Sequence, residues 1–188
     1  MSTPHHHYKG GGLSRSEKVE RKVIELLLTS KLPDSQRESS IVWELKHSSG
    51  CLQIARILAQ KRNLDIEIAE TAAVLHDVYV IVHGSYKNHA KLGAPIAEKL
   101  LLTLGGFSKK EIEKITSAIA HHSEKDIYTE DLYIELVKDA DVFDCSLYKG
   151  AEDEYRLTKS KPLFLEYQKR VKKIRQELGL SEKPVFRS

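Results

Sequence analysis

Residues 68–78 read IAETAAVLHDV, and the histidine and aspartate near their end decide how the rest of the chain is read. Ile66, Ala69, Ala72, Ala73 and His76 recur at helical spacing, so a helix opened by Asp65 carries one small apolar stripe and reaches Asp77 in its last turn. An imidazole beside a carboxylate at the end of such a face either caps the helix toward solvent or holds something charged. The pair alone does not decide between these. The answer depends on whether other His and Asp residues arrive at comparable places elsewhere.

Working outward, turn and cap signals divide the chain into helices. Ser14 or Ser16 opens EKVERKVIELLLTSK, with Val19, Val23, Leu26 and Leu27 on one face, and Pro33, Asp34 and Ser35 break it. A second helix is expected from about Ser40 to Arg62, with His47, Cys51, Ile54, Ala55 and Leu58 on one side and Gly50 weakening its middle. VYVIVHGSYKN, residues 78–88, is strand-like by propensity but has no pairing partner, so a loop over the site is expected. His89 begins a helix that Gly105 and Gly106 stop. Ser108 and Glu111 form a capping box for the next, whose face is Ile112, Ile115, Ile119 and His122. A helix from about Thr129 to Cys145 places Tyr133, Val137, Ala140 and Asp141 in register, and a basic amphipathic one runs from Pro162 to Leu178.

Composition agrees with an all-α fold. The 188 residues are 40% hydrophobic and only 7% aromatic, enough for one domain with a sizeable core and too poor in aromatics to favour a sandwich or barrel. The expected organisation is a flexible tail over residues 1–13, one helical domain over 14–180 with its motifs at 40–145, and a tail over 181–188. The triple histidine His5–His7 lies in a Gly-rich stretch and is set aside, native or a tag remnant, because nothing there would fix its geometry. Cys51 and Cys145 make no disulfide framework, and no apolar run approaches a membrane span. A soluble, cytoplasmic protein is expected. The net charge of +3 permits phosphate-bearing partners, while the basic last helix lacks the aromatics of a nucleic-acid surface beyond Tyr167.

The comparable residues do exist. His47, His76 with Asp77, His121 with His122, and Asp139 with Asp141 fall on or beside the apolar faces of four helices. Buried imidazoles and carboxylates cost several kcal/mol unless paired or bound to a cation. A nitrogen and oxygen donor set without a CxxC pair favours Mn, Fe, Mg, Ni or Co, with Zn possible. Each histidine taken singly is more often a core residue bonded to a carbonyl, and the cysteines are more often small buried fillers. Trp43 reads as core rather than a stacking platform.

The order His47…His76-Asp77…Asp141 resembles that of the HD superfamily of metal-dependent phosphohydrolases. Supporting blocks are WELKHSSGCLQIARILA, IAETAAVLHDV, NHAKLGAPIAEKLL, AIAHHSEKD and LVKDADVFD, covering roughly residues 40 to 145 in family order. The resemblance implies an HD-type helical bundle in which His47, His76, Asp77 and Asp141 hold one divalent cation. It leaves Asp139 as a supporting or capping residue and Asp144 as a surface or salt-bridging one. His89 and the pair His121-His122 match positions that either bind a second metal or face the substrate phosphate. One or two ions therefore remain open. The implied reaction is attack of metal-bound water on a small phosphate ester, with a nucleotide expected, and the proton relayed by Asp77, His121 or His122. Lys87 and Lys91, flanking His89, are candidates for phosphate oxygens.

Departures from relatives narrow the reading. The guanosine tetraphosphate hydrolases carry HDxxED where this chain has HDVYVI, and the small nucleotidases place a catalytic Glu soon after their HD, where this chain has none. The GYP motif of the cyclic-dinucleotide branch is missing after HHSEKDIY. What remains is a phosphohydrolase of unassigned substrate, a homo-oligomer being possible. The alternative is a regulator that keeps the metal site and binds a nucleotide without turning it over.

Overall fold

The computed structural model describes residues 12–187. Residues 1–11 of the expected N-terminal tail, with His5–His7, lie outside the described residues. All regular structure among the described residues is helical: α1 (Arg15–Leu28), α2 (Ile41–Lys61), α3 (Ile66–Leu75), α4 (Val78–His83), α5 (His89–Leu104), α6 (Lys109–His121), α7 (Leu132–Ser146), α8 (Ala151–Thr158) and α9 (Lys161–Glu177), with a 3₁₀ turn at Asp34–Gln36. The start signals act as read. Ser14 with Glu17 and Ser108 with Glu111 each form a reciprocal capping box, while Ser40 and Asp65 accept backbone N–H bonds at the starts of α2 and α3.

Helix α3 lies at the centre and packs against α1, α2, α6 and α7. Ala69, Ala72 and Ala73 have no exposed surface, and their short side chains let the neighbouring helices approach closely. Around them Leu58, Leu75, Ile115, Ile119 and Leu136 are also fully buried. Each such aliphatic side chain contributes about 1.5–3 kcal/mol by leaving water. The residues that carry chemistry sit at the end of this apolar layer, where α3 stops.

The structure corrects the expectation for residues 78–88. Val78 to His83 is helix α4, because Val78, Val80 and Ile81 are buried against the core and that packing overrides their strand propensity. Gly84 ends it at φ +71, where an added Cβ would lie 2.7 Å from Leu32 Cδ2. Helix α7 begins at Leu132 rather than Thr129, since Asp131 accepts the N–H groups of Tyr133 and Ile134 and sets the start. Helix α8 and the 3₁₀ turn were not anticipated. The C-terminal segment expected as a tail is packed: Phe186 is buried against Phe164 and Tyr155, and the Arg187 N–H donates to the Ser146 carbonyl at 2.9 Å.

Candidate metal centre

Helix α3 ends at His76, and α4 begins after Asp77, so the pair stands at a break between two helices. The Ala73 carbonyl, which also takes the His76 backbone N–H at 3.4 Å, accepts a bond from His76 Nδ1 at 2.7 Å. His122, at the end of α6, repeats this with the Ile119 carbonyl at 2.7 Å, and His89, at the start of α5, with the Tyr86 carbonyl at 2.7 Å. His47 on α2 donates Nδ1 to Asp144 Oδ2 on α7, also at 2.7 Å. A carbonyl can only accept, and an ionised carboxylate likewise. All four imidazoles in their neutral form therefore carry the proton on Nδ1 and leave a bare lone pair on Nε2.

Those four lone pairs converge. His47 Nε2 and His76 Nε2 are 3.2 Å apart, and His89 Nε2 and His122 Nε2 are 3.0 Å apart. Asp77 lies between the pairs. Its Oδ2 is 3.3 Å from His76 Nε2, and its Oδ1 is 3.2 Å from His89 Nε2 and 3.4 Å from His122 Nε2. Despite that proximity Asp77 Oδ1 is buried without a hydrogen-bond partner. Asp141 Oδ1 completes the first group at 3.4 Å from His47 Nε2.

Lone pairs facing lone pairs and an unpartnered carboxylate oxygen are unfavourable unless a cation sits among them. Donors about 2.1 Å from an octahedral ion stand about 3.0 Å apart, close to the separations seen here. The residues thus fit divalent metal. Donor atoms of His47, Cys51, His76 and Asp141 all lie within 4.8 Å of one another, as do those of His76, Asp77 and His122. Cys51 and Cys145 are both buried free thiols beside the His47 ring, with Cys51 Sγ 3.6 Å and Cys145 Sγ 3.9 Å from its Nδ1.

Electrostatics follow the same layout. Burial pushes the Asp77 carboxyl up, but the neighbouring imidazoles, His76 foremost and then His122 and His89, outweigh it and hold Asp77 well below the usual carboxylate range. Asp141 is also held well below, with burial overcome by the Lys125 ammonium and by His47. Burial lowers His122 to about 4, keeping that imidazole neutral. For His76 burial works against the charged ring, yet Asp77 outweighs it and raises the imidazole. The carboxylates draw positive charge to the spot where a cation would supply it.

A cavity of about 770 Å³ opens onto the cluster, lined by His47, Asp77, His89, His122, Lys125 and Asp141 at its base and by Trp43, Tyr155 and Tyr167 on its walls. Trp43, expected in the core, stacks on His47 with ring centroids 5.5 Å apart and also faces this space. His121 is not brought in. Its side chain is 47% exposed and pairs with Glu124 at 2.9 Å, because it lies one residue off the inward face of α6. Lys87 and Lys91 are exposed and do not line the cavity.

Four residues near the cluster were not read as part of it. Asp144, expected as a surface or salt-bridging residue, is buried and pairs with His47, and its place depends on Gly50, where an added Cβ would lie 2.0 Å from Asp144 Oδ1. Glu44, one turn before His47, is fully buried, accepts the Tyr86 hydroxyl at 2.9 Å and has an unpartnered Oε2. Lys125 is buried and donates to Asp141 Oδ2 at 2.5 Å. Arg170, on the basic last helix, is fully buried and bonds Asp139 and Glu135, each at 2.9 Å. Asp139 consequently points away from the cluster, into an ion network with Arg62, Lys173 and Arg170. HHSEKD does contain Lys125, but nothing in the sequence says that its side chain folds inward.

Comparison with known proteins places these residues in context. Residues 45–145 match the HD domain family. Over 97 residues the chain is 33% identical to ribonuclease Y of Chloroflexus aurantiacus; the match takes in 51% of this chain but 18% of that protein, so the chain spans less than a fifth of its relative. The crystal structure of a predicted HD superfamily hydrolase from an uncultured Thermotogales bacterium superposes with a TM-score of 0.55 at 19% identity, covering 85% of this chain and 88% of that one. That likeness is one of fold.

Proposed function

Because the chain belongs to the HD domain family, we propose that it is a metal-dependent phosphohydrolase acting on a phosphate ester, with a nucleotide as the preferred class of substrate. The observation that carries this reading is the set of four imidazoles whose Nδ1 protons are committed elsewhere and whose Nε2 atoms meet around Asp77. In this reading His47, His76, Asp77 and Asp141 would hold one divalent ion, and Asp77, His89 and His122 would hold a second. The nitrogen and oxygen donors suit Mn, Fe, Co, Ni or Mg, and the nearby Cys51 sulfur leaves Zn eligible.

A bound cation would supply Lewis acidity toward a phosphoryl oxygen and a nucleophile from water at neutral pH. The protein does the rest. The Nδ1 bonds to backbone carbonyls and to Asp144 fix the rings, so the donor atoms need no reorganisation as charge develops. His122, held neutral, is available to take or return a proton at Nε2 where it is not engaged by metal. Trp43, Tyr155 and Tyr167 offer apolar walls for the non-reacting part of a substrate. The ribonuclease among the relatives favours a phosphodiester over a monoester. A cytoplasmic setting suits the two free thiols.

One observation favours the second reading, a nucleotide-binding regulator. The six residues after Asp77 form α4 with Val78, Val80 and Ile81 buried, and no carboxylate follows the HD there. Both readings meet one experiment. Elemental analysis of tag-free protein should find one or two ions per chain, lost in His47→Ala and Asp77→Ala. A phosphate-ester screen with that metal should then give turnover. Metal without product in the presence of a nucleotide that raises Tm would favour the regulator, and no metal after Mn or Ni supply would end the enzyme reading.

A further inference from the structure

We propose that Lys125 is a catalytic residue that grips a non-bridging oxygen of the substrate's phosphoryl group, and that Arg170 is the positioning residue that fixes it there; this rests on the phosphohydrolase reading. Lysine is almost never fully buried unless it is paired, yet Lys125 is only 1% exposed. Its Nζ donates to the His122 carbonyl at 2.6 Å and to Asp141 Oδ2 at 2.5 Å. Two of the three ammonium donors are thereby taken, and the side chain borders the cavity beside the proposed cation.

Charge decides between a structural ion pair and a substrate contact. Around the cluster stand the carboxylates of Asp77, Asp141 and Asp144, with imidazoles between them that would be neutral when their Nε2 atoms hold a cation. Three negative charges are balanced by one divalent cation together with Lys125. With two cations the same set carries an excess of two positive charges. A divalent ion on Asp141 already meets that carboxylate's need for a positive neighbour. In the two-cation state the additional ammonium would be unfavourable in a water-poor space until an anion arrives. The complement is a phosphoryl group, whose oxygens can bridge cation and ammonium.

The backbone beneath Lys125 is built to hold it still. Arg170 Nε donates to the Lys125 carbonyl at 2.7 Å, and the same guanidinium binds Glu135 Oε2 and Asp139 Oδ1, each at 2.9 Å. Lys138 Nζ secures the loop two residues on, at the Ile127 carbonyl, at 2.7 Å. A planar guanidinium can serve a carbonyl and two carboxylates at once, which a lysine ammonium cannot do in this geometry. The buried ions under α7 and α9 therefore do not face the cavity themselves. They fix the segment between α6 and α7 that does.

The test uses the metal-loaded full chain, inorganic phosphate as probe and bis(4-nitrophenyl) phosphate as substrate. Lys125→Gln, which can keep hydrogen bonds while losing the charge, should retain wild-type metal content and circular dichroism. It should bind phosphate at least ~10-fold more weakly by calorimetry and lower kcat by ~100-fold. Lys125→Arg should recover most of the phosphate affinity. Arg170→Lys, if its helical signal is retained, should weaken phosphate binding without loss of metal. Unchanged phosphate affinity in Lys125→Gln would reduce the residue to a structural ion pair. Loss of metal in that variant would equally overturn the proposal, since Lys125 would then serve Asp141 alone. A wild-type protein that holds metal yet neither binds phosphate nor turns over the ester would instead bring down the phosphohydrolase reading itself.

Discussion

Replacing Gly50 with alanine should damage the candidate metal centre by displacing Asp144, the partner of His47. An alanine Cβ at position 50 would stand 2.0 Å from Asp144 Oδ1 and 2.8 Å from its Cγ. Relief to an ordinary contact requires the carboxylate to move by more than about 1 Å. The bond from His47 Nδ1 to Asp144 Oδ2, now 2.7 Å, does not survive that displacement. Losing a charge-assisted bond to a buried imidazole costs about 1.5–3 kcal/mol, and overpacking adds about 1–3 kcal/mol. The better helix propensity of alanine returns only about 1 kcal/mol. The net destabilisation is then on the order of 1.5–5 kcal/mol, a fall in Tm of roughly 3–20 °C for a chain of this size. Metal affinity should fall about 10–100-fold, as expected when the orienting partner of a ligand histidine is lost. Calorimetric titration of metal-stripped protein with Mn or Co, beside a thermal melt, measures both. In an Asp144→Ala background the same glycine substitution should be neutral or mildly stabilising, because its target is gone. Wild-type metal affinity together with a raised Tm in Gly50→Ala would refute the coupling.

Two further substitutions probe neighbouring positions. His121→Ala should leave metal content unchanged and turnover within about 2-fold, whereas His122→Ala should lose bound metal or at least ~100-fold in rate, and similar effects of the two would contradict their placement. For Glu44, burial and the charge of Asp77 raise the carboxyl above its ordinary value, so the folded protein holds that proton more tightly than the unfolded chain. The stability this supplies is full below about 4.3 and is lost as pH rises through the folded value. Glu44→Gln stays neutral throughout, so its Tm should decline less steeply with pH than that of the wild type, and parallel profiles would refute the buried-proton account.

The sequence discloses what repeats locally and hides what is made by long-range contact. Caps at Ser14, Ser108 and Asp65 are legible because each is settled within four residues, and the stripe ending in His76 and Asp77 is legible because helical spacing puts it on one face. The helix at Val78–His83 is not, since its β-branched residues favour strand and only burial against the core reverses that. Asp144, Lys125 and Arg170 look like solvated charges in one dimension. Their inward direction comes from partners far along the chain: His47 for Asp144, Asp141 for Lys125, and Glu135 with Asp139 for Arg170. Gly50 reads as a weak point in a helix until the carboxylate it admits is seen.

The histidines differ in how far each must reach to be made ready, and this gives the centre an order of assembly. His76, His89 and His122 each bond a carbonyl three residues earlier, so their rings can be set as soon as the local turn forms. His47 must wait for a carboxylate 97 residues away, and Asp141 reaches the site on the same helix as that carboxylate. The first cation group is complete only when α7 has docked on α2. Ion capture at that group would thus report the closing of the 97-residue separation between His47 and Asp144, and a chain arrested before that event would retain one half of the candidate centre without the other.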